Sequence, residues 1–276
     1  MSKGLLDPKV DFVFKNIFGS PNHPEILISF LNATLKAKKK IVNVDIKKTD
    51  IEKQYIEDKY SRLDVKATTS NDEIINIEIQ LKNENNMVKR SLYYLSKMYE
   101  EQLNEKEDYS KLVRTVCINI LNFKYLKTDN FHTGYRFKEI ESNEELTDIM
   151  EVHFIEIPKL QDSSDEKDML VAWTEFLKDP ESEKVRGLEL SIEEIRQAKD
   201  ELIRMSNDST QRELYDMRAN SLRDKMSELN AAERKGIKKG IEEEKIKIAR
   251  NMKLSGLDTN TIAKITNLSE DEIDKL

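Results

Sequence analysis

Asp64 and Glu78 are the residues of this chain best placed to do chemistry. Each lies on the polar side of an alternating segment. In Arg62-Leu63-Asp64-Val65-Lys66-Ala67 the apolar residues are Leu63, Val65 and Ala67. In the second segment Ile75, Ile77, Ile79 and Leu81 alternate with Asn76, Glu78 and Gln80. Ser70-Asn71-Asp72 between them is a turn-forming cluster. A hairpin centred on Asn71 sets Asp64 opposite Glu78, Arg62 opposite Gln80 and Lys66 opposite Asn76, with facing Cβ atoms roughly 5 Å apart. Like charges in that position destabilise a hairpin. A divalent cation between them removes the penalty, because Mg²⁺ takes carboxylate oxygens at about 2.1 Å. The pair reads as a hard-metal site. The same spacing also fits an ordinary solvated polar face, and a slip of one residue in register would move the two side chains apart.

The elements that must position this pair follow from periodicity. Residues 9–18 and 24–37 read as helices, the second with Pro24 at its first position and an apolar stripe of Ile26, Leu27, Phe30, Leu31 and Leu35. A first strand covers 41–46, and the hairpin follows. Residues 87–103 read as a helix in which Arg90 and Tyr94 share a face. Residues 113–122 are apolar on both faces and predict a central strand. Further strands are expected at 135–140 and 152–157, the last ended by Pro158. The order α-α-β-β-β-α-β-β-β predicts a mixed sheet flanked by helices, an α/β fold. From 165 onward the text is helical. Ser191-Ile192-Glu193-Glu194 and Ser269-Glu270-Asp271-Glu272 fit capping boxes, Gly256 is placed to end a helix, and Asp258 or Thr259 to cap the next. The expected divisions are a core over 1–160, a helical extension over 161–240 and a small helical tail over 241–276.

Composition bounds the function. No stretch of the 276 residues approaches the ~20 apolar positions of a membrane span. Met1-Ser2-Lys3-Gly4 opens no apolar signal region. The one cysteine, Cys117, lies in an apolar strand pattern; it reads as a packed thiol and fits a cytoplasmic protein. The net charge of -7 argues against a protein that coats nucleic acid. Lys36, Lys38, Lys39, Lys40, Lys47 and Lys48 nevertheless cluster just before the hairpin, where they suit either a phosphodiester substrate or a solvated helix end. His23, His132 and His153 fall in separate segments with no spacing that suggests a zinc site or a general base.

Asp64 followed by Glu78-Ile79-Gln80 resembles the D…(D/E)-x-K signature of the PD-(D/E)xK nuclease superfamily. The run Asp7 to Gly19, the segment Leu27 to Leu35, Asn76 to Gln80, and Arg90-Ser91-Leu92-Tyr93-Tyr94 with Tyr99 are similar to one bacterial branch, the Rpn-type recombination-promoting, transposase-like nucleases. The resemblance implies a restriction-endonuclease-like core with an all-α C-terminal extension. It implies a Mg²⁺-dependent DNA endonuclease acting in recombination or mobile-element biology. On that reading Asp64, Glu78 and Gln80 are catalytic, and Asp64, Glu78 and the Ile79 carbonyl hold the metal, with Asp58 as a candidate for a second ion. Lys66, Arg62, Arg90, Lys39 and Lys40 are the candidate nucleic-acid contacts. Gln80 stands where the superfamily usually has Lys; it can orient water but brings no positive charge. A decayed nuclease core acting as an interaction module is the competing reading. The tail resembles a helix-turn-helix, yet its last helix is acid-rich, so contact with protein, including a second copy of the chain, is expected of it over DNA.

Overall fold

The computed structural model of the chain describes residues 4–37, 39–47, 65–165 and 167–276. The expectations placed on Asp58, Arg62 and Asp64 lie outside the described residues. The chain divides into two compact units, Met1–Arg218 and Ala219–Leu276. No helix among the described residues is long and apolar enough to cross a membrane.

The first unit is built on a six-stranded mixed sheet. Its strands are β1 (Val44–Lys47), β2 (Val65–Thr69), β3 (Ile74–Gln80), β4 (Thr115–Leu121), β5 (His132–Lys138) and β6 (Glu145–Glu156), in the spatial order β1-β2-β3-β4-β6-β5. The β2–β3 hairpin keeps the register set by its turn: Val65 pairs with Ile77, Lys66 with Asn76 and Ala67 with Ile75. β3 then runs parallel to β4, and β4 parallel to β6. Parallel neighbours need a crossover, and α3 (Met87–Glu100) supplies it between β3 and β4. β4 is buried at every residue, as a central strand must be.

Each face of the sheet carries helices. α3 lies over one, with Met87 and Leu95 packed against Cys117, Leu121, Val152 and Phe154. On the other side, α1 (Asp11–Phe18) and α2 (Pro24–Leu35) present buried residues at helical spacing, Val13, Phe14, Ile17 and Phe18, then Ile26, Leu27, Phe30 and Leu31. α4 (Met169–Lys178) joins them, capped by the Asp168 carboxylate on the Leu170 N–H at 2.8 Å. Its Trp173 is wholly buried and meets Phe18 and Phe30 edge-on at 5.3 and 6.5 Å. α5 (Glu183–Glu189) and α6 (Glu193–Asn207) complete the layer, α6 burying Ile195, Ala198, Leu202 and Met205.

α7 (Ser209–Leu254) is long and highly charged. Gly236 and Gly240 fall inside it, and a Cβ added at either meets nothing within 4 Å. In the second unit Gly256, at φ +82°, ends α7. Asp258 caps α8 (Thr259–Thr266), and Ser269 with Glu272 forms the expected capping box of α9 (Glu270–Asp274). Ala249, Ile262, Leu268 and Ile273 make its small core.

Two expectations are corrected. Ser191 opens no capping box: Ile192 is the N-cap of α6 without a side-chain bond, and the Ser191 hydroxyl donates to the Leu188 carbonyl at 3.2 Å, closing α5 instead. The polar side of β3 is not a solvated face, because α3 covers it. Asn76 and Glu78 are as buried as their apolar neighbours.

Candidate active site

Glu78 is 1% exposed. It sits near the C-terminal end of β3, and Asn119 is its neighbour in the parallel register. The side chains facing α3 from this part of the sheet are therefore polar. Ser91, one turn into α3, donates to the Asn119 side-chain carbonyl at 2.9 Å, and Asn119 donates to the His153 carbonyl at 3.1 Å. Arg90 Nε donates to Glu78 Oε2 at 3.2 Å, and its guanidinium lies 5.4 Å from the Tyr94 ring centroid. The shared face of Arg90 and Tyr94 is thus used internally, and Tyr94 is buried against Met98 and Ile74. Burial pushes the Glu78 carboxyl above the usual carboxylate range, while the charge of Arg90 pulls the other way.

Glu78 Oε1 and Asn76 Oδ1 are buried acceptors with no hydrogen-bond partner among the described residues. They stand two residues apart on one strand, hence on one face. Buried oxygens of this kind call for a donor or a cation, and an all-oxygen pair with a carboxylate suits a hard divalent ion. In that respect the residues fit Mg²⁺. Among the described residues no group of three His, Cys, Asp or Glu is arranged to hold a metal ion by itself.

The other candidates are placed unevenly. Gln80 is half-buried two residues beyond Glu78 on the same face, and its carbonyl accepts from the Asn122 N–H at 2.9 Å. Lys66 reaches Glu101 at the end of α3, at 3.5 Å. Lys39 and Lys40 lie exposed at the opposite end of the hairpin, where the Asn71 amide donates to the Lys39 carbonyl at 3.3 Å. From that turn to Glu78 the strand runs roughly 20 Å, at about 3.3 Å per residue. Cys117 is buried, with its thiol pushed up to about 12, first by burial, and takes no part as a nucleophile.

A second polar cluster escapes sequence reasoning. It lies on the sheet face opposite Glu78, because Val152 and Phe154 point to α3 and Glu151 and His153 alternate with them. His153 Nε2 meets Glu151 Oε1 at 2.8 Å, and His153 Nδ1 meets His132 Nε2 at 2.9 Å. Glu151 is also bound by Arg114 and by Arg136, the latter at 3.1 Å, and Arg114 reaches on to Glu73. The antiparallel β5–β6 pairing puts Gly134 opposite His153, and a Cβ there would stand 3.0 Å from the imidazole. The Glu-x-His spacing within one strand was the available signal, while His132 arrives only through the hairpin. Burial alone would raise the Glu151 carboxyl, but the hydrogen bonds from His153 and Arg114 hold it at about 2. His132 is pushed down to about 4, first by burial and then by His153. An unfolded histidine takes up a proton near pH 6.5, so the unfolded state binds more protons in the window below that. Stability is expected to fall on the order of 2 kcal/mol as the pH drops from about 6.5 to 4. His132→Asn should flatten that part of the curve in urea titrations; an unchanged slope would detach it from His132.

A family model described as PD-(D/E)XK nuclease family transposase matches residues 8–232. A second, described as the C-terminal HTH domain of the Rpn/YhgA-like nuclease family, matches residues 242–276. No curated protein and no solved structure matches the chain.

Proposed function

The chain belongs to the PD-(D/E)XK nuclease transposase family, and from that premise we propose that it is a Mg²⁺-dependent DNA endonuclease serving recombination or mobile elements in a bacterium. Its mixed sheet with flanking helices, followed by the helical C-terminal region, is the restriction-endonuclease-like fold of such nucleases. The observation that carries the reading is the Glu78 carboxylate, buried beneath α3 with one oxygen unengaged and Gln80 beside it on the same strand face. Asp64, Glu78 and the Ile79 carbonyl would hold the metal; the register of the described β2–β3 pairs supports setting Asp64 opposite Glu78. The bound ion would supply polarisation of the scissile phosphate and an acidified water.

The protein's own groups do the rest. Glu78 presents its free oxygen from a rigid strand held by neighbours on both sides. Gln80 offers an amide donor and a carbonyl acceptor, enough to orient a water but without positive charge. Among the candidate nucleic-acid contacts, Lys66 belongs to the strand facing this site and Arg62 precedes it by four residues in sequence, while Lys39 and Lys40 would hold backbone away from the cut. The helix-turn-helix match supports DNA contact by the C-terminal unit; the acidic Glu270, Asp271, Glu272 and Asp274 of α9 disfavour phosphates and support contact with protein, either its own core or a second copy of the chain. The single, buried thiol supports a cytoplasmic setting.

Nicking and linearisation of supercoiled plasmid with Mg²⁺, and none with chelator, is the expected result. Intact plasmid, together with no change of melting temperature on adding Mg²⁺ or Ca²⁺, would favour the interaction-module reading. Gln80 supplies a finer test. Gln80→Lys should cut at least as fast as the parent, since it adds a cation beside developing negative charge. Gln80→Ala should lose about 2 kcal/mol or more of transition-state stabilisation. An alanine variant as fast as the parent makes Gln80 a spectator.

A further inference from the structure

We propose that Arg90 is the resident counter-ion of Glu78, occupying in the metal-free protein the charge-balancing place that a divalent cation takes on binding, and so setting the affinity for that cation. The inference rests on the metal-site reading above and makes Arg90 a positioning residue for it.

Three observations carry it. The Glu78 side chain is 2% exposed, and a buried carboxylate needs a charge partner or must give up its own charge. Among the described residues Arg90 alone forms an ion pair with it, because Lys66 is committed to Glu101 and Gln80 is neutral. The contact is also of a kind that can be exchanged. Only Nε reaches Glu78, at 3.2 Å, the long end of the hydrogen-bond range, rather than in the two-pronged geometry open to a guanidinium. Arg90 is 28% exposed at its side chain, with its guanidinium 5.4 Å from the Tyr94 ring centroid, so part of it already meets water and the head can turn further outward. The Arg114 arrangement in the same sheet is the opposite case: both ends of its fork are engaged by buried carboxylates.

A cation arriving at Oε1 places a second positive charge close to the guanidinium. The two share one carboxylate and repel each other. Arg90 therefore stabilises the empty site and weakens the loaded one. Once displaced, the guanidinium is next to the site and carries the charge that a phosphate oxygen attracts.

The test is a Ca²⁺ titration of the full chain, read by thermal melting without DNA. Arg90→Gln should melt lower than the parent without Ca²⁺ and reach half of its Ca²⁺-induced shift at about tenfold lower concentration. Arg90→Lys keeps the charge and should stay near the parent half-point. Arg90→Met, which retains the stem against Tyr94, replaces the glutamine variant if that does not fold. Glu78→Gln should abolish the shift in each background. A half-point unmoved or raised by Arg90→Gln or Arg90→Met, with the Glu78 dependence intact, overturns the counter-ion role and leaves the metal site standing. A lysine variant that tightens as much as the glutamine variant also overturns it, because charge would not be the cause. No Ca²⁺ shift in any variant, parent included, removes the metal site and this inference with it.

Discussion

Glu78→Gln and Asp64→Asn each reduce Mg²⁺-dependent plasmid cleavage by about a thousandfold or more, the scale on which losing a principal charge-stabilising group acts, while the protein stays folded. The amide introduced by Glu78→Gln matches the carboxylate in shape, so packing beneath α3 is retained. Stability at neutral pH changes little, because two effects oppose. Burial already disfavours the Glu78 charge, so removing it is a gain. Arg90 loses its partner, but its side chain is 28% exposed and can turn towards water. Circular dichroism melts alongside cleavage rates separate the possibilities. Activity within tenfold of the parent in both variants would sink the catalytic assignment. Unfolding in both would make the pair structural.

Arg114→Met destabilises the protein by about 3–5 kcal/mol, the range for removing one partner of a buried ion pair. Against a total stability of about 5–15 kcal/mol this is a large loss. Glu73 and Glu151 are 7% and 4% exposed, and both engage the Arg114 fork. Arg114 Nε also donates to the Asp148 carbonyl at 3.2 Å, so the side chain ties the start of β4 to β6 and to the turn before β3. Without it two carboxylates stay buried with too few donors. Thr69 gives Glu73 one bond at 3.0 Å, and Arg136 and His153 remain for Glu151. Glu73→Gln in the Arg114→Met background should recover part of the loss by removing one uncompensated charge. Urea unfolding at pH 7 measures both variants. A loss under about 1 kcal/mol, the surface-pair range, would mean that water reaches the cluster and removes the penalty there.

The sequence by itself determined the succession of elements up to β6, because each element type is written in short-range periodicity. Ile75, Ile77 and Ile79 alternate as a strand does, and Phe14, Ile17 and Phe18 recur as a helix does. It also determined the β2–β3 register, since the turn at Ser70-Asn71-Asp72 leaves the hairpin little choice, and the described pairs keep it from Thr68–Ile74 to Val65–Ile77. The caps at Asp258 and Ser269 are equally local. Other features depended on which distant segments meet. Alternation says that Asn76 and Glu78 share a face, but not that α3 lies over it; burial is a property of the covering element, and it turned an expected solvated face into a closed polar one. Lys39 and Lys40 are near the hairpin in sequence and near its turn in space, yet roughly 20 Å from Glu78, because an extended strand carries each residue about 3.3 Å onward. His132 and His153 show no meaningful spacing, and become neighbours only because β5 folds back on β6. Ion pairs such as Arg90 with Glu78 form between elements whose packing is set by the whole core. Local pattern decides what each segment becomes, and the tertiary structure decides which charges must live together.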